Sequence, residues 1–277
     1  MKSNFPAKRI LLTAAILFSI AGFAVRYLQL TNELLPDGTL TSGAYLHYVL
    51  AILTVCFAAG IAILLWKMQK VTSWRQCFPP KFGYEIVHLL AAGLLLIGNA
   101  VLFIQSSSPE NAWVAANPFI GTFIGRLLPF FGVAAAVCLG IFAVKCQSGQ
   151  RPSPAFYMIF SLYLIIRLIV CFQSWNTDPS VNDYCYALLA AICTMLSAFQ
   201  LAGFSFDRGK RRIALFWTLT SVLFCSISLA DAIYDGGLGT LLVVSALLVT
   251  NITSSLQLLY ARCPAAETKA AAETEEA

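Results

Sequence analysis

Charge is what this chain lacks most. Only 11 % of its 277 residues are Asp, Glu, Lys or Arg, against roughly 25 % in a soluble domain. A soluble protein of this length would need a polar surface over its core, and too few charges are present to build one. Histidine is nearly absent: His47 and His88 are the two in the chain, placed toward opposite faces of a membrane. None of the nine cysteines forms a Cys-x-x-Cys pair. That pattern predicts no metal site and no cofactor. Also missing are Gly-x-Gly-x-x-Gly, Gly-x-x-x-x-Gly-Lys-Ser/Thr, His-Glu-x-x-His and Gly-x-Ser-x-Gly. Their absence argues against nucleotide-driven pumping by this chain alone and against the commoner hydrolases. No enzyme is expected.

What is present is apolar sequence, 59 % of the chain. A helix rising ~1.5 Å per residue crosses a ~30 Å hydrocarbon core in about 20 residues. Eight stretches satisfy this, at approximately 10–30, 44–66, 84–105, 118–144, 155–173, 184–206, 213–234 and 238–261. They are continuously apolar, whereas barrel strands alternate over about ten residues. The expectation is an all-α polytopic helical bundle, one transmembrane domain over 1–263, with a disordered acidic tail from 264 to 277. Turn formers punctuate the runs, among them Pro36-Asp37-Gly38, Pro79-Pro80, Asp178-Pro179 and Asp235-Gly236-Gly237. The longest connection between spans runs about 17 residues, Lys67 to Gly83. It is read as a polar cytoplasmic loop.

Lysine and arginine set the orientation. With the N-terminus inside, 15 of the 18 basic residues lie in cytoplasmic segments and the outer loops hold none. Both termini are therefore placed in the cytoplasm. This asymmetry accounts for the net charge of +5 without a nucleic-acid partner. Tyr27, Trp66, Tyr84, Trp175, Tyr184, Tyr234 and Tyr260 fall at span ends, in the headgroup zone. Residues 1–24 resemble a signal peptide, but their long apolar run favours an uncleaved first helix. Shifting the chain by 141 residues aligns Arg26 with Arg167 and Asp37 with Asp178. That offers a parallel repeat as one reading and topology alone as the other.

Three arginines are left over inside the spans. Arg126 and Arg167 are roughly 12 Å below the outer surface, and Arg26 is shallower. An arginine at a helix centre costs about 2.5–3.5 kcal/mol on insertion scales. One reading makes them forked donors to an anionic ligand in an outward pocket. The other has them snorkel to headgroups or pair with Asp231 or Asp183. Glu85 and His88, three apart, share a helix face and form a candidate titratable pair. The alternative is an interfacial acid beside a singly hydrogen-bonded imidazole. Gly121, Gly125 and Gly132, continued by Ala136 and Gly140, form a small-residue stripe that permits close helix packing. Pro129 is placed to kink the same helix. Cys171 and Cys185 flank one outer loop and are candidates for a disulfide, although membrane cysteines ordinarily act as small apolar residues. Asn251-Ile252-Thr253 matches a glycosylation acceptor but lies within a span, so it is discarded.

Trp175-Asn176-Thr177-Asp178-Pro179, Asp183-Tyr184 and Asp207-Arg208-Gly209-Lys210-Arg211-Arg212 resemble segments of uncharacterised multi-pass membrane proteins of gut Firmicutes. The resemblance covers the fifth to seventh helices. It implies a bacterial plasma-membrane protein and carries no activity or site residues. From the residues, the leading expectation is a binding or transport module for a small anionic solute, embedded in the lipid bilayer. The second expectation is an accessory subunit that works with another membrane protein.

Overall fold

The computed structural model describes residues 5–33, 41, 44–66, 68, 71–78, 82–107, 123–175 and 181–261. Its helices are α1 (Phe5–Asn32), α2 (Leu46–Trp66), the single turn α3 (Trp74–Cys77) and α4 (Phe82–Ser107), then α5 (Phe123–Gln147), α6 (Ala155–Trp175), α7 (Val181–Phe204), α8 (Arg211–Tyr234) and α9 (Leu238–Leu259). No strand occurs among the described residues. Each of the eight predicted spans has its helix. Among the described residues, seven helices are long and apolar enough to cross a membrane, and α6 adds an apolar stretch over Ala155–Val170. The chain is a helical membrane bundle. The acidic tail, 264–277, lies outside the described residues.

Packing order explains which faces are polar. From α4 to α9 each helix packs on its sequence neighbour, and α9 returns to pack on α4, closing a ring of six. Helices α1 and α2 lie outside it against α8. Flanked by α1, α2, α7 and α9, α8 is the most enclosed helix, and it carries buried Thr218, Thr220, Ser221, Ser226 and Ser228. By contrast α2 is rich in exposed Ile52, Val55 and Ile63. Lipid is as apolar as a side chain, so hydroxyls are kept within the bundle while aliphatic residues face out. The 141-residue shift pairs α1, outside the ring, with α6, inside it.

Connections use specific caps. Glu33, at the end of α1, accepts the backbone N–H of Tyr45 at 3.0 Å and of Leu46 at 3.2 Å. It thereby satisfies donors that the start of α2 leaves without intrahelical partners. In the α7–α8 turn Asp207 has φ 53°, and a Cβ on Gly209 would come within 2.1 Å of the Phe204 ring.

The expectation of a polar loop between α2 and α4 is corrected. Met68, Val71, Trp74, Cys77 and Phe78 are all buried in the hydrophobic core. Trp74 and Phe78 stack at 4.2 Å between ring centroids, and both meet Phe142 of α5 edge-on. Phe78 also contacts Phe204 of α7. The segment therefore plugs the end of the ring where the basic residues lie. Its neighbours hold it there: Arg212 Nε donates to the Met68 carbonyl at 2.7 Å, and the Trp74 N–H donates to Asp207 Oδ1 at 3.0 Å. The hydrophobic positions are too few for a span but sufficient for a plug. The small-residue stripe holds only in part. A Cβ on Gly132 would lie 2.1 Å from Asn99 Oδ1, but one on Gly140 meets nothing within 4 Å.

Candidate functional site

Polar side chains run the length of the bundle in three groups. The first is at the end opposite the plug. Arg26 of α1 is 1 % exposed. Its Nε donates to Asp231 Oδ1 of α8 at 2.6 Å and its Nη1 to Gln29 Oε1 at 2.9 Å. The guanidinium lies over the Tyr186 ring of α7, 5.5 Å from the centroid. A charge-assisted bond, a neutral acceptor and an aromatic face together replace the water this cation gives up. Asp231, one of the two acids the sequence offered the arginines as partners, pairs with Arg26.

The second group lies about midway, where α7, α8 and α9 meet. Ser197 Oγ donates to Asn251 Oδ1 at 3.0 Å, and Asn251 Nδ2 donates to Thr194 Oγ1 at 3.3 Å and to the Leu247 carbonyl at 2.8 Å. Thr194 Oγ1 and Ser221 Oγ are 2.6 Å apart, and the Cys225 sulfur is 3.7 Å from each. On the ring's other side, Tyr163 of α6 donates to Asn99 Oδ1 of α4 at 3.2 Å. Half-buried Arg167 of α6 is within electrostatic range of Cys225. Among the described residues, no cluster of three or more His, Cys, Asp or Glu could hold a metal ion.

Asn251→Leu tests what the middle group contributes. An interhelical hydrogen bond in a membrane averages about 0.6 kcal/mol, and Asn251 makes two. The expected loss is about 1–2 kcal/mol, measured as unfolding in mixed detergent micelles. Thr250→Val is the control, because Thr250 bonds the carbonyl of Ala246 in its own helix. Equal losses in the two variants would show that the α7–α9 bonds add nothing.

The third group is under the plug. His88 Nδ1 is 2.9 Å from the Tyr84 carbonyl. A carbonyl only accepts, so Nδ1 carries the hydrogen and, in the neutral ring, Nε2 presents its lone pair. His88 Nε2 and Glu85 Oε2 are both enclosed without a hydrogen-bond partner. Cys146 of α5 lies within electrostatic range of Glu85, and Tyr157 of α6 lies near Cys146. The Tyr157 hydroxyl faces Ser254 of α9, and neither oxygen completes a bond of normal geometry.

The sequence candidates are thus distributed over different groups. Arg126 and Gly125 lie on α5, but the Arg126 side chain and all of Gly121 are outside the described residues. Cys185 is a free, exposed thiol, which goes against the candidate disulfide with Cys171. Sequence reasoning passed over Asn99, Tyr157, Tyr163, Thr194, Ser197, Ser221 and Ser254, and met Asn251 only as a discarded glycosylation match. The usable signal was the density of polar residues in the last two spans, with Thr250, Asn251, Thr253, Ser254, Ser255 and Gln257 all buried in α9.

No family model, no curated protein and no solved structure matches this chain.

Proposed function

We propose that this protein is a binding or transport module for a small anionic solute in a bacterial plasma membrane. The observation that supports the reading is the buried hydroxyl–amide cluster of Thr194, Ser197, Ser221 and Asn251, with Arg167 within electrostatic range of the adjoining Cys225. Hydroxyl and amide groups can donate to an anion while a guanidinium balances its charge. Polar residues inside a membrane are costly, so a column of them reads as a functional site before a structural one. The aromatic plug closes the cytoplasmic end, as expected of one state in alternating access.

A second reading, an accessory subunit without transport of its own, draws on a different observation. Arg26, Arg211 and Arg212 are all engaged by groups of this chain, so these enclosed cations serve packing.

Proteoliposomes separate the two readings. Uptake of chloride, inorganic phosphate and lactate is measured for the full chain and for Arg126→Ala combined with Arg167→Ala. Transport predicts saturable uptake of one of these anions that falls at least about tenfold in the double variant, a loss of roughly 1.4 kcal/mol in binding. Uptake that is unchanged in the double variant would sink the anion-site reading. Uptake no greater than in empty vesicles supports the subunit.

A further inference from the structure

The group beneath the plug has an excess of acceptors. Glu85 and His88 are 5 % and 2 % exposed, and Tyr157 and Ser254 are 1 % and 0 %. All four enclose a polar atom that has no hydrogen-bond partner. Interiors rarely leave such atoms unsatisfied, because each gives up its hydration without a bond to replace it. Glu85 and His88 lie on one face of the first two turns of α4. The His88 ring is 5.6 Å from that of Phe142, which is 4.6 Å from that of Tyr157.

The charge states define what is missing. Since Nδ1–H is committed to the Tyr84 carbonyl, neutral His88 offers an acceptor at Nε2, and ionised Glu85 offers another at Oε2. Two enclosed acceptors lack a donor hydrogen. With no proton added the pair carries one negative charge. With one added, on either residue, it is neutral overall. Among the described residues, the other titratable groups placed toward this region are Cys146 from α5, Tyr157 from α6 and Tyr84 on α4 itself. Tyr260, just beyond α9, acts on Tyr84. None of these supplies a second cation that would replace the proton. A metal ion is a poor alternative, because the histidine and acid have no third His, Cys, Asp or Glu to form a ligand set among the described residues.

We propose that Glu85 and His88 form a proton-binding site, loaded with one proton from water at the basic end and bounded by Tyr157, Ser254 and the Trp74–Phe78 plug. Loading is a simple transfer: hydronium gives its proton to Glu85 Oε2 or His88 Nε2 and leaves as water. Gly83, exposed at the start of α4, places water within about one helical turn of Glu85. Joined to the proposed transport of an anion, and resting on that reading, the site would make transport proton-coupled. Proton binding itself does not need transport to occur.

The test is infrared difference spectroscopy of the full chain in lipid, titrated between about pH 5 and 9. The expected result is a protonated-carboxyl band that disappears in Glu85→Gln and shifts its titration midpoint in His88→Gln. Proton uptake measured with a pH dye should be about one per chain in the wild type and absent from the Glu85→Gln variant. Tyr157→Phe, a near-isosteric change, should keep the band and alter its frequency, so the site remains testable if the other variants fold poorly. A carboxyl band that persists in Glu85→Gln, or no carboxyl protonation across the range, overturns the proposal. In the same vesicles, Glu85→Gln should abolish stimulation of anion uptake by a pH gradient while leaving anion exchange intact. If the wild type moves no anion at all, the spectra still decide the proton site, so the two ideas fail separately.

Discussion

Arg26→Ala is expected to destabilise the protein by about 3–5 kcal/mol, because it leaves Asp231 as a buried charge without its guanidinium. The geometry argues for the upper part of that range. The ion pair is 2.6 Å long, and Arg26 and Asp231 side chains are 2 % and 16 % exposed. The same substitution frees Gln29 Oε1 and removes the cation over Tyr186. Asp231→Ala should cost a similar amount, with the penalty now falling on the arginine. The pair as a whole is a different matter. Desolvating two charges consumes most of their mutual attraction, so an apolar pair of similar volume is often neutral. Arg26→Met with Asp231→Leu should therefore recover most of the stability lost in either single variant. The measurement is a double-mutant cycle from unfolding midpoints in detergent. If the double variant were as unstable as the sum of the singles, the two residues would be acting independently and the ion pair would not be what holds α1 to α8.

This pair also shows where sequence reading stops. The spans were legible because lipid demands about 20 apolar residues in a row, a local property. Their sidedness was legible because basic residues obey a simple rule across loops. Arg26 and Asp231 are 205 positions apart, and nothing local says that α1 lies against α8 rather than against the ring's other helices. The plug was missed for a different reason. Val71, Trp74, Cys77 and Phe78 are spread among Lys70, Arg75 and Lys81, so charge count outweighed the apolar positions. The hydroxyls of the middle group were hardest to weigh. A serine or threonine in a helix can bond its own backbone, as Thr194 does with the Ala190 carbonyl and Thr253 with that of Val249. Its presence in a span therefore demands no partner, and its interhelical contacts emerge only from packing. Glu85 and His88 were visible as a pair by spacing. Their enclosure was not, because it depends on α5, α6 and the plug.

Arg211 is the second residue whose loss should be costly, and the comparison with its neighbour tells why. By sequence, Arg208 and Arg211 are equivalent members of one cytoplasmic basic cluster. In the fold Arg208 is exposed and Arg211 is buried. Arg211 Nε donates to the Leu258 carbonyl at 2.7 Å and its Nη2 to that of Leu259 at 3.0 Å. These are among the last carbonyls of α9, which have no intrahelical donors, and a cation there also meets the negative end of the helix dipole. Hydrogen bonds involving a charged group contribute roughly 1.5–3 kcal/mol each, partly offset here by the cost of burying the guanidinium. Arg211→Ala is expected to lose about 2–4 kcal/mol. Arg208→Ala should stay within about 0.5 kcal/mol, as surface changes usually do. Both remove one positive charge from the same loop, so a topology effect would strike them equally. Arg211→Lys sharpens the test. It keeps the charge but gives up the forked geometry that reaches two carbonyls at once, and should restore less than half of the loss. Full recovery with lysine would mean that the end of α9 needs only a nearby positive charge. Partial recovery means that the guanidinium fork is the structural cap joining α8 to α9.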